Sequence, residues 1–311
     1  MDFQLTPEQT EFREATRKLC AGRFGIERLR AGEGAAMDRS MWSELAEFGV
    51  FALRNPDFGL GAAEAALVFE ELGRGLIPGP LVWTHLATGM GLGAVVGGVE
   101  RPTGPTLIEH LDDLDDLVVV DADGLWRVDP RALAGRPVAK PLDPLTPVAL
   151  VDELPAGERI GDASDAARWR LEGAAFVAAQ LAGMAEALTD LTVAYTRERR
   201  QFGRPVGSFQ AIKHLLADML VRSELARTQA YAAAVHLDDP ALGGTERAVS
   251  AAKAVAGRAA IDNGTASIQA HGGMGYTWEV DAHLYLKRAW VLDATFGSSD
   301  EQAERVADLF G

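Results

Sequence analysis

Arg197-Glu198-Arg199-Arg200-Gln201-Phe202-Gly203-Arg204-Pro205 runs on through Gln210 to Leu216-Ala217-Asp218-Met219, and how it is read decides the fold. Arginines crowd the end of an apolar-periodic segment, where cations offset the negative pole of a helix. Gly203 and Pro205 follow, and neither continues a helix. The stretch therefore closes one helix, turns, and opens another. Upstream, Asp165 to Arg199 keeps a helical period for about 35 positions, roughly 50 Å long. Downstream, Ser208 is placed to cap a helix towards His236, which Asp238-Asp239-Pro240 stops. An alanine-rich helix spans about Thr245 to Ala270, and a shorter one Asp281 to about Leu292. Apolar stripes on long antiparallel helices predict a bundle.

Towards the amino terminus, Thr6-Pro7-Glu8-Gln9 carries helix-start chemistry: a capping hydroxyl, a proline suited to the first helical position, and a glutamine completing a capping box. That helix should run to about Ala21. Met41 to Phe48 makes a second helix, closed by Gly49 in a left-handed cap. Phe58-Gly59-Leu60-Gly61 is a loop. Ala62 to Leu72 forms a helix ended by Gly73-Arg74-Gly75 and the Pro78-Gly79-Pro80 break. Leu81 to Val96 reads as helical, weakened by Gly89, Gly91 and Gly93. Residues 1–100 thus form a helical domain. From Arg101 to about Ala163 prolines and aspartates become dense, with β-type runs at Thr106 to Glu109, Leu117 to Asp121, Leu125 to Val128 and Val148 to Val151. Asp121-Ala122-Asp123-Gly124 between two of them is a hairpin turn signal. Residues 101–163 therefore make a small sheet region, and 164–311 the C-terminal bundle. The fold class is mainly α.

The chain has 311 residues, 48% hydrophobic and 24% charged, the balance of an ordinary globular protein of two or three domains. A formal net charge of −15 argues against nucleic acid or an anionic membrane as partner. Cys20 is the only cysteine, so disulfides and cysteine metal sites within one chain are excluded, and its apolar helical setting predicts a small buried side chain. No charged-then-apolar leader is read at the amino terminus and no uninterrupted apolar run reaches the ~18 residues of a membrane span, so the protein is expected to be cytoplasmic. The six histidines show no paired metal-ligand spacing, and no metal is expected. Asp112-Asp113 and Asp115-Asp116 around Leu114 read as a solvated turn rather than a cation site. Ser298-Ser299 reads as a loop. Trp126, in a hairpin pattern, is expected to pack on the sheet.

Any one charged helix end of this kind is unremarkable by itself. A distant stretch answers it, Gln269-Ala270-His271-Gly272-Gly273-Met274-Gly275-Tyr276. Together with Gln210 and the Leu-Ala-Asp-Met run, the two resemble the C-terminal motifs of the acyl-CoA dehydrogenase family, flavoenzymes that desaturate CoA thioesters. The resemblance extends to Asp2-Phe3-Gln4-Leu5-Thr6-Pro7-Glu8-Gln9 and to Phe69-Glu70-Glu71-Leu72-Gly73-Arg74-Gly75. It covers roughly residues 1–97 and 165–300, with a weakly matching middle. It implies an N-terminal helical domain, a reduced β middle region and a C-terminal four-helix bundle.

The family's cofactor is FAD, and the chemistry of these residues suits it. A pyrophosphate needs a fixed cation, and the planar fork of Arg199 pairs two phosphate oxygens. Phe202 offers a flat apolar face, and Gln210 an amide that donates and accepts. Gly272 and Gly273 let backbone approach where a side chain would collide, with N–H groups free to cradle phosphate. By resemblance, Arg199, Phe202, Gln210, Gln269, Gly272 and Gly273 bind the ADP half of an FAD lodged mainly in a neighbouring subunit. That implies at least a dimer.

Other family features are missing. Desaturation needs a carboxylate to take the α-proton, worth roughly 10²–10⁴-fold. The resemblance places that glutamate just before Gly297, where Phe296 stands, and phenylalanine accepts no proton. A minority of the family carries the base on the first long bundle helix; the matching position here is Gly173, with Glu172 one residue away, about 100° around the helix. Glu172 is either a displaced base or an ordinary helix-paired carboxylate among Arg168 and Arg170. The middle region lacks the family's Thr-Glu-Pro-x-Ala-Gly-Ser-Asp type string that shelters the flavin. The resemblance therefore implies a short subunit of the heteromeric actinobacterial type, paired in an α2β2 assembly with a full-length acyl-CoA dehydrogenase subunit and acting on an acyl-CoA, steroid-derived thioesters being typical of such enzymes. Two alternatives stay open: a self-sufficient homo-oligomeric dehydrogenase using Glu172, and a flavin-free scaffold built on the same bundle.

Overall fold

The structure is a computed structural model that describes residues 4–31, 37–53, 55, 59–100 and 104–310. The expectations placed on Asp2, Phe3, Phe58 and Arg101 lie outside the described residues. In chain order the elements are α1 (Pro7–Arg23), α2 (Ile26–Ala31), α3 (Arg39–Phe48), α4 (Ala62–Arg74) and α5 (Leu81–Ala87). The strands β1 (Val96–Glu100), β2 (Thr106–Glu109), β3 (Asp116–Val120), β4 (Gly124–Val128), β5 (Arg136–Pro137), β6 (Val148–Val151) and β7 (Glu158–Asp162) follow. Then come α6 (Ala163–Glu198), β8 (Arg200–Gln201), β9 (Arg204–Pro205), α7 (Gln210–Asp238), α8 (Thr245–His271), α9 (Ala282–Ala294) and α10 (Ser299–Asp308). The chain is mainly helical, with few strands in its middle. Its packing forms two units made of interleaved segments: Met1–Ile26 with Ala62–Ile77 and Ala174–Gly311, and Glu27–Gly61 with Pro78–Gly173.

The first unit is built from α1, α4, most of α6, and α7 to α10. The Thr6 hydroxyl accepts from the Gln9 backbone N–H at 3.2 Å while the Gln9 side chain accepts from Thr6 N–H at 3.1 Å, the reciprocal box that starts α1. Helices α4 and α6 cross on glycine: a Cβ on Gly73 would lie 2.1 Å from the Gln180 carbonyl oxygen, and one on Gly183 1.9 Å from that of Glu70. Phe69 stacks on Phe176 beside this crossing, centroids 5.2 Å apart. Asn263 of α8, fully buried, donates through its amide to the carbonyls of Ala185 (3.1 Å) and Met219 (3.0 Å) and accepts from Arg222 Nε at 2.8 Å. Three helices are thereby tied at one level. Cys20 is buried, as its helical setting predicts. Helix α6 meets the length and composition of a bilayer span, but 83% of the qualifying window is buried in the protein, the pattern of a central bundle helix.

The second unit holds α3, α5, the strands β1 to β7 and the first residues of α6. One sheet has the order β1-β3-β4-β7 and the other β2-β6-β5. The apolar run of β3 is buried throughout and pairs with β1 in parallel and with β4 antiparallel. Asp121 accepts from the N–H groups of Asp123 and Gly124 at 3.0 and 3.1 Å, which fixes the β3–β4 turn.

Four expectations need correcting. The helix from Leu81 ends at Ala87 rather than Val96, because Gly89 and Gly91 take positive φ (83° and 72°) and Val96 enters β1 instead. The acidic pairs around Leu114 are not a solvated turn. Asp116 is buried and accepts from Gly93 N–H (2.7 Å) and Arg127 Nε (2.6 Å), Asp115 accepts from Val95 N–H (2.9 Å), and Asp113 accepts from Met37 N–H (2.9 Å). Ser208 does not cap α7; its hydroxyl donates to the Pro205 carbonyl at 2.7 Å and Phe209 holds the cap position. Ser298-Ser299 is not a free loop, since Ser298 caps α10 in a box with Glu301. Among the described residues, no group of three or more His, Cys, Asp or Glu is placed to hold a metal.

Candidate functional site

The carboxyl ends of α6 and α8 and the amino end of α7 belong to the first unit, and side-chain contacts join them. Arg199 follows α6 directly, its N–H donating to the Tyr195 carbonyl at 2.9 Å and its own carbonyl accepting from Val206 N–H at 2.8 Å. Strands β8 and β9 form a hairpin around Phe202-Gly203, both at positive φ (51° and 80°), which a two-residue type I′ turn requires. Glycine accepts that geometry readily; phenylalanine does so at a cost of order 1–3 kcal/mol. Phe202 is 91% exposed, and its ring meets that of Phe209 nearly at right angles with centroids 6.2 Å apart. The Arg204 guanidinium lies 4.1 Å over the Phe209 ring. Gln210, the first residue of α7, is exposed next to it.

On α8, Gln269 is exposed in the last turn and its carbonyl accepts from Gly272 N–H. Gly272 leaves the helix at φ 61°. A Cβ on Gly272 or Gly273 would meet nothing within 4 Å, so any collision those glycines avoid is with something outside the chain. Gly275 differs: its Cβ would lie 2.4 Å from the Ile268 carbonyl oxygen, which makes it a packing requirement. Tyr195 stacks on His271 with centroids 4.1 Å apart and donates to the His271 carbonyl at 3.2 Å. That contact puts Arg199, one turn beyond Tyr195, and Gly272, next to His271, at the same end of the bundle. Burial lowers the pKa of His271, with its bond to the Ser267 carbonyl opposing.

All six residues singled out in the sequence, Arg199, Phe202, Gln210, Gln269, Gly272 and Gly273, are exposed. Arg197, Arg199, Arg200 and Arg204 gather there around a single Glu198, a local cationic patch on a chain of charge −15. Among the described residues Arg199 makes no ion pair and no side-chain hydrogen bond, leaving its fork available for an anion. The arrangement offers a free guanidinium, an unobstructed glycine backbone and a flat aromatic face, which suit a phosphorylated ligand with a planar base. The residues therefore fit a dinucleotide.

Phe296 and Glu172 have surroundings of their own. Phe296 is only 4% exposed and takes φ 57° in the turn between α9 and α10, its carbonyl accepting from the Gln302 amide at 2.8 Å. Lys253, fully buried, donates to the carbonyls of Asp293 (2.7 Å) and Gly297 (2.9 Å), which locks that turn. Burial pushes the Lys253 pKa down to about 8, the Asp293 carboxylate opposing it. Glu172 lies on the part of α6 that belongs to the second unit, its side chain 14% exposed and 3.9 Å from Arg168 Nε. Sequence inspection missed Tyr195 and Phe209. The signal available for Tyr195 is its place one helical turn before Arg199.

Residues 165–309 match the family model for the acyl-CoA dehydrogenase C-terminal domain, and residues 6–97 the model for the acyl-CoA dehydrogenase N-terminal domain. Over 309 residues the chain is 35% identical to the acyl-CoA dehydrogenase IpdE2 of Mycobacterium tuberculosis, with 92% of each chain covered. It is 32% identical over 327 residues to IpdE2 of Mycolicibacterium smegmatis, covering 98% of this chain and 100% of that one. Among solved structures it is similar to the ChsE4-ChsE5 complex from Mycobacterium tuberculosis, with a TM-score of 0.85 at 20% identity over 100% of this chain and 99% of that one. A variant of the Tcur3481-Tcur3483 steroid ACAD gives a TM-score of 0.83 at 23% identity, covering 97% of both chains. At such identities these structures speak to the fold alone.

Proposed function

The chain belongs to the acyl-CoA dehydrogenase family, and from that premise we propose that it is a short subunit of an FAD-dependent enzyme that desaturates a CoA thioester, completing the ADP side of a flavin site whose catalytic carboxylate lies on a partner subunit. One observation carries this reading: the six dinucleotide-type residues are exposed together at one end of the bundle, while the base position holds a buried phenylalanine. Arg199 grips the pyrophosphate, Phe202 covers an apolar face of the adenosine, and Gln210 and Gln269 bond its polar edges. Gly272 and Gly273, with no side chain in the way, would let the backbone approach the phosphates closely. A bound FAD supplies the acceptor for the β-hydride. The Phe296 ring cannot take the α-proton, which supports a proton acceptor on the partner. Two of the similar structures carry two-component names, one a complex and one a steroid ACAD, which supports pairing with a second acyl-CoA dehydrogenase subunit; an α2β2 assembly and a steroid-derived acyl group complete the proposal.

The test is to purify the chain alone and together with the protein it draws from its native host. Alone it should lack flavin absorbance and turnover, and in the complex it should show both. Arg199→Ala in the complex should lower flavin content. Stoichiometric flavin and full dehydrogenase turnover from the isolated chain would overturn the proposal.

A further inference from the structure

We propose that Tyr195 and His271 are positioning residues, a stacked brace between the ends of α6 and α8 that sets the separation of the Arg199 guanidinium from the Gly272-Gly273 backbone. This rests on the shared-site reading above and goes beyond it to residues that need not touch the dinucleotide. Both aromatic residues sit in the last turns of their helices, immediately before the segments that carry the site. Their rings stack at 4.1 Å with planes 28° apart. The Tyr195 hydroxyl donates to the His271 carbonyl at 3.2 Å, and Arg199 N–H donates to the Tyr195 carbonyl at 2.9 Å. A continuous path of contacts thus runs from Arg199 to the residue before Gly272.

The histidine is held as firmly as the tyrosine. His271 Nδ1 lies 2.7 Å from the Ser267 carbonyl oxygen, which only accepts, so Nδ1 carries the proton and the ring orientation is fixed. Its side chain is buried although Gln269, Gly272 and Gly273 around it are exposed. A ring buried at a rim is placed for spacing. Separation matters because a pyrophosphate must meet the guanidinium fork and the backbone donors together, and a displacement of about 1 Å in a positioned group can cost on the order of 10²-fold.

The test uses the flavin-loaded complex with this chain as wild type, Tyr195→Ala, Tyr195→Phe, His271→Phe and Arg199→Ala. FAD release on dilution is followed by the recovery of flavin fluorescence, and Tm is measured in parallel by circular dichroism. Tyr195→Ala should release FAD about tenfold faster, the scale of a lost aromatic pair. Tyr195→Phe, which keeps the stack, should restore most of the wild-type rate, and His271→Phe should fall between the two. A purely structural role would move Tm and release together across the variants, and that result overturns the brace. If Arg199→Ala speeds release while Tyr195→Ala does not, the brace fails and the shared site stands. If neither changes release, the shared-site reading falls and takes the brace with it. Should Tyr195→Ala fail to assemble, Tyr195→Leu is read in its place, with the same supporting and overturning results.

Discussion

Phe296 stands where a proton acceptor would be useful, and its burial decides what substitution there can do. Its ring is buried in a turn that Lys253 locks, so Phe296→Glu would put a carboxylate where an apolar ring is packed. We expect a loss of about 3 kcal/mol or more in thermal unfolding and no gain in turnover. Glu172→Gln should leave turnover of the complex unchanged, because Glu172 is a helix-paired carboxylate beside Arg168; a large loss in steady-state rate would restore it as a base. Glu70 gives a pH prediction. Burial pushes its carboxyl up to about 7, the Tyr231 hydroxyl that donates to it pulling the other way and Glu186 and Glu71 adding repulsion. A carboxyl with a folded pKa above its ordinary value near 4.5 holds a proton in the folded state that the unfolded chain has released. Stability from this group is therefore present at low pH and is lost as pH rises from about 4.5 to about 7. Glu70→Gln removes that titration, so its Tm relative to the parent should climb across the same window. A difference that stays flat with pH would show that Glu70 ionises normally. At this scale the chemistry proposed for a phosphate was legible in the sequence, because guanidinium, amide and glycine properties are local. The sequence did not reveal Tyr195 or the burial of Asp116, since those depend on neighbours distant in the chain.

Elements with self-contained end signals were legible. The Thr6–Gln9 box and the left-handed Gly49 place α1 and α3, and the apolar run of β3 marks a buried strand. Strand β1 was not, because Val96-Gly97-Gly98-Val99 gains its conformation from pairing with β3 and has weak local preference. Helix α10 announces itself through Ser298 and Glu301, the same box as at Thr6, but its short polar body hides it. Ser298→Ala should cost about 1 kcal/mol of stability in chemical denaturation. The α4–α6 crossing makes a stronger demand. Gly183→Ala would drive a methyl into the Glu70 carbonyl, and backbone cannot step aside as a flexible side chain does. We expect a loss of about 1–3 kcal/mol, read as a fall in Tm. An unchanged Tm would mean the helices separate freely at that point.

At the scale of the whole molecule, the interleaving of segments is what a linear reading could not supply. Residues 62–77 join the bundle while the stretches on either side join the sheets, and only packing decides that. Light scattering should find the chain in a larger species with its partner than alone, with flavin in that species only; flavin following the lone chain would contradict the division of labour. The buried Asn263 has a consequence for how such an assembly fills. It rivets α6, α7 and α8 at one height, and neither a longer nor a shorter polar side chain would reach all of Ala185, Met219 and Arg222. Sliding α8 past both of its neighbours would break every one of those links at once. Whatever give the protein needs in order to admit its guest must therefore come from the hairpin and the glycine turn at the rods' tips, over a foundation that does not shift.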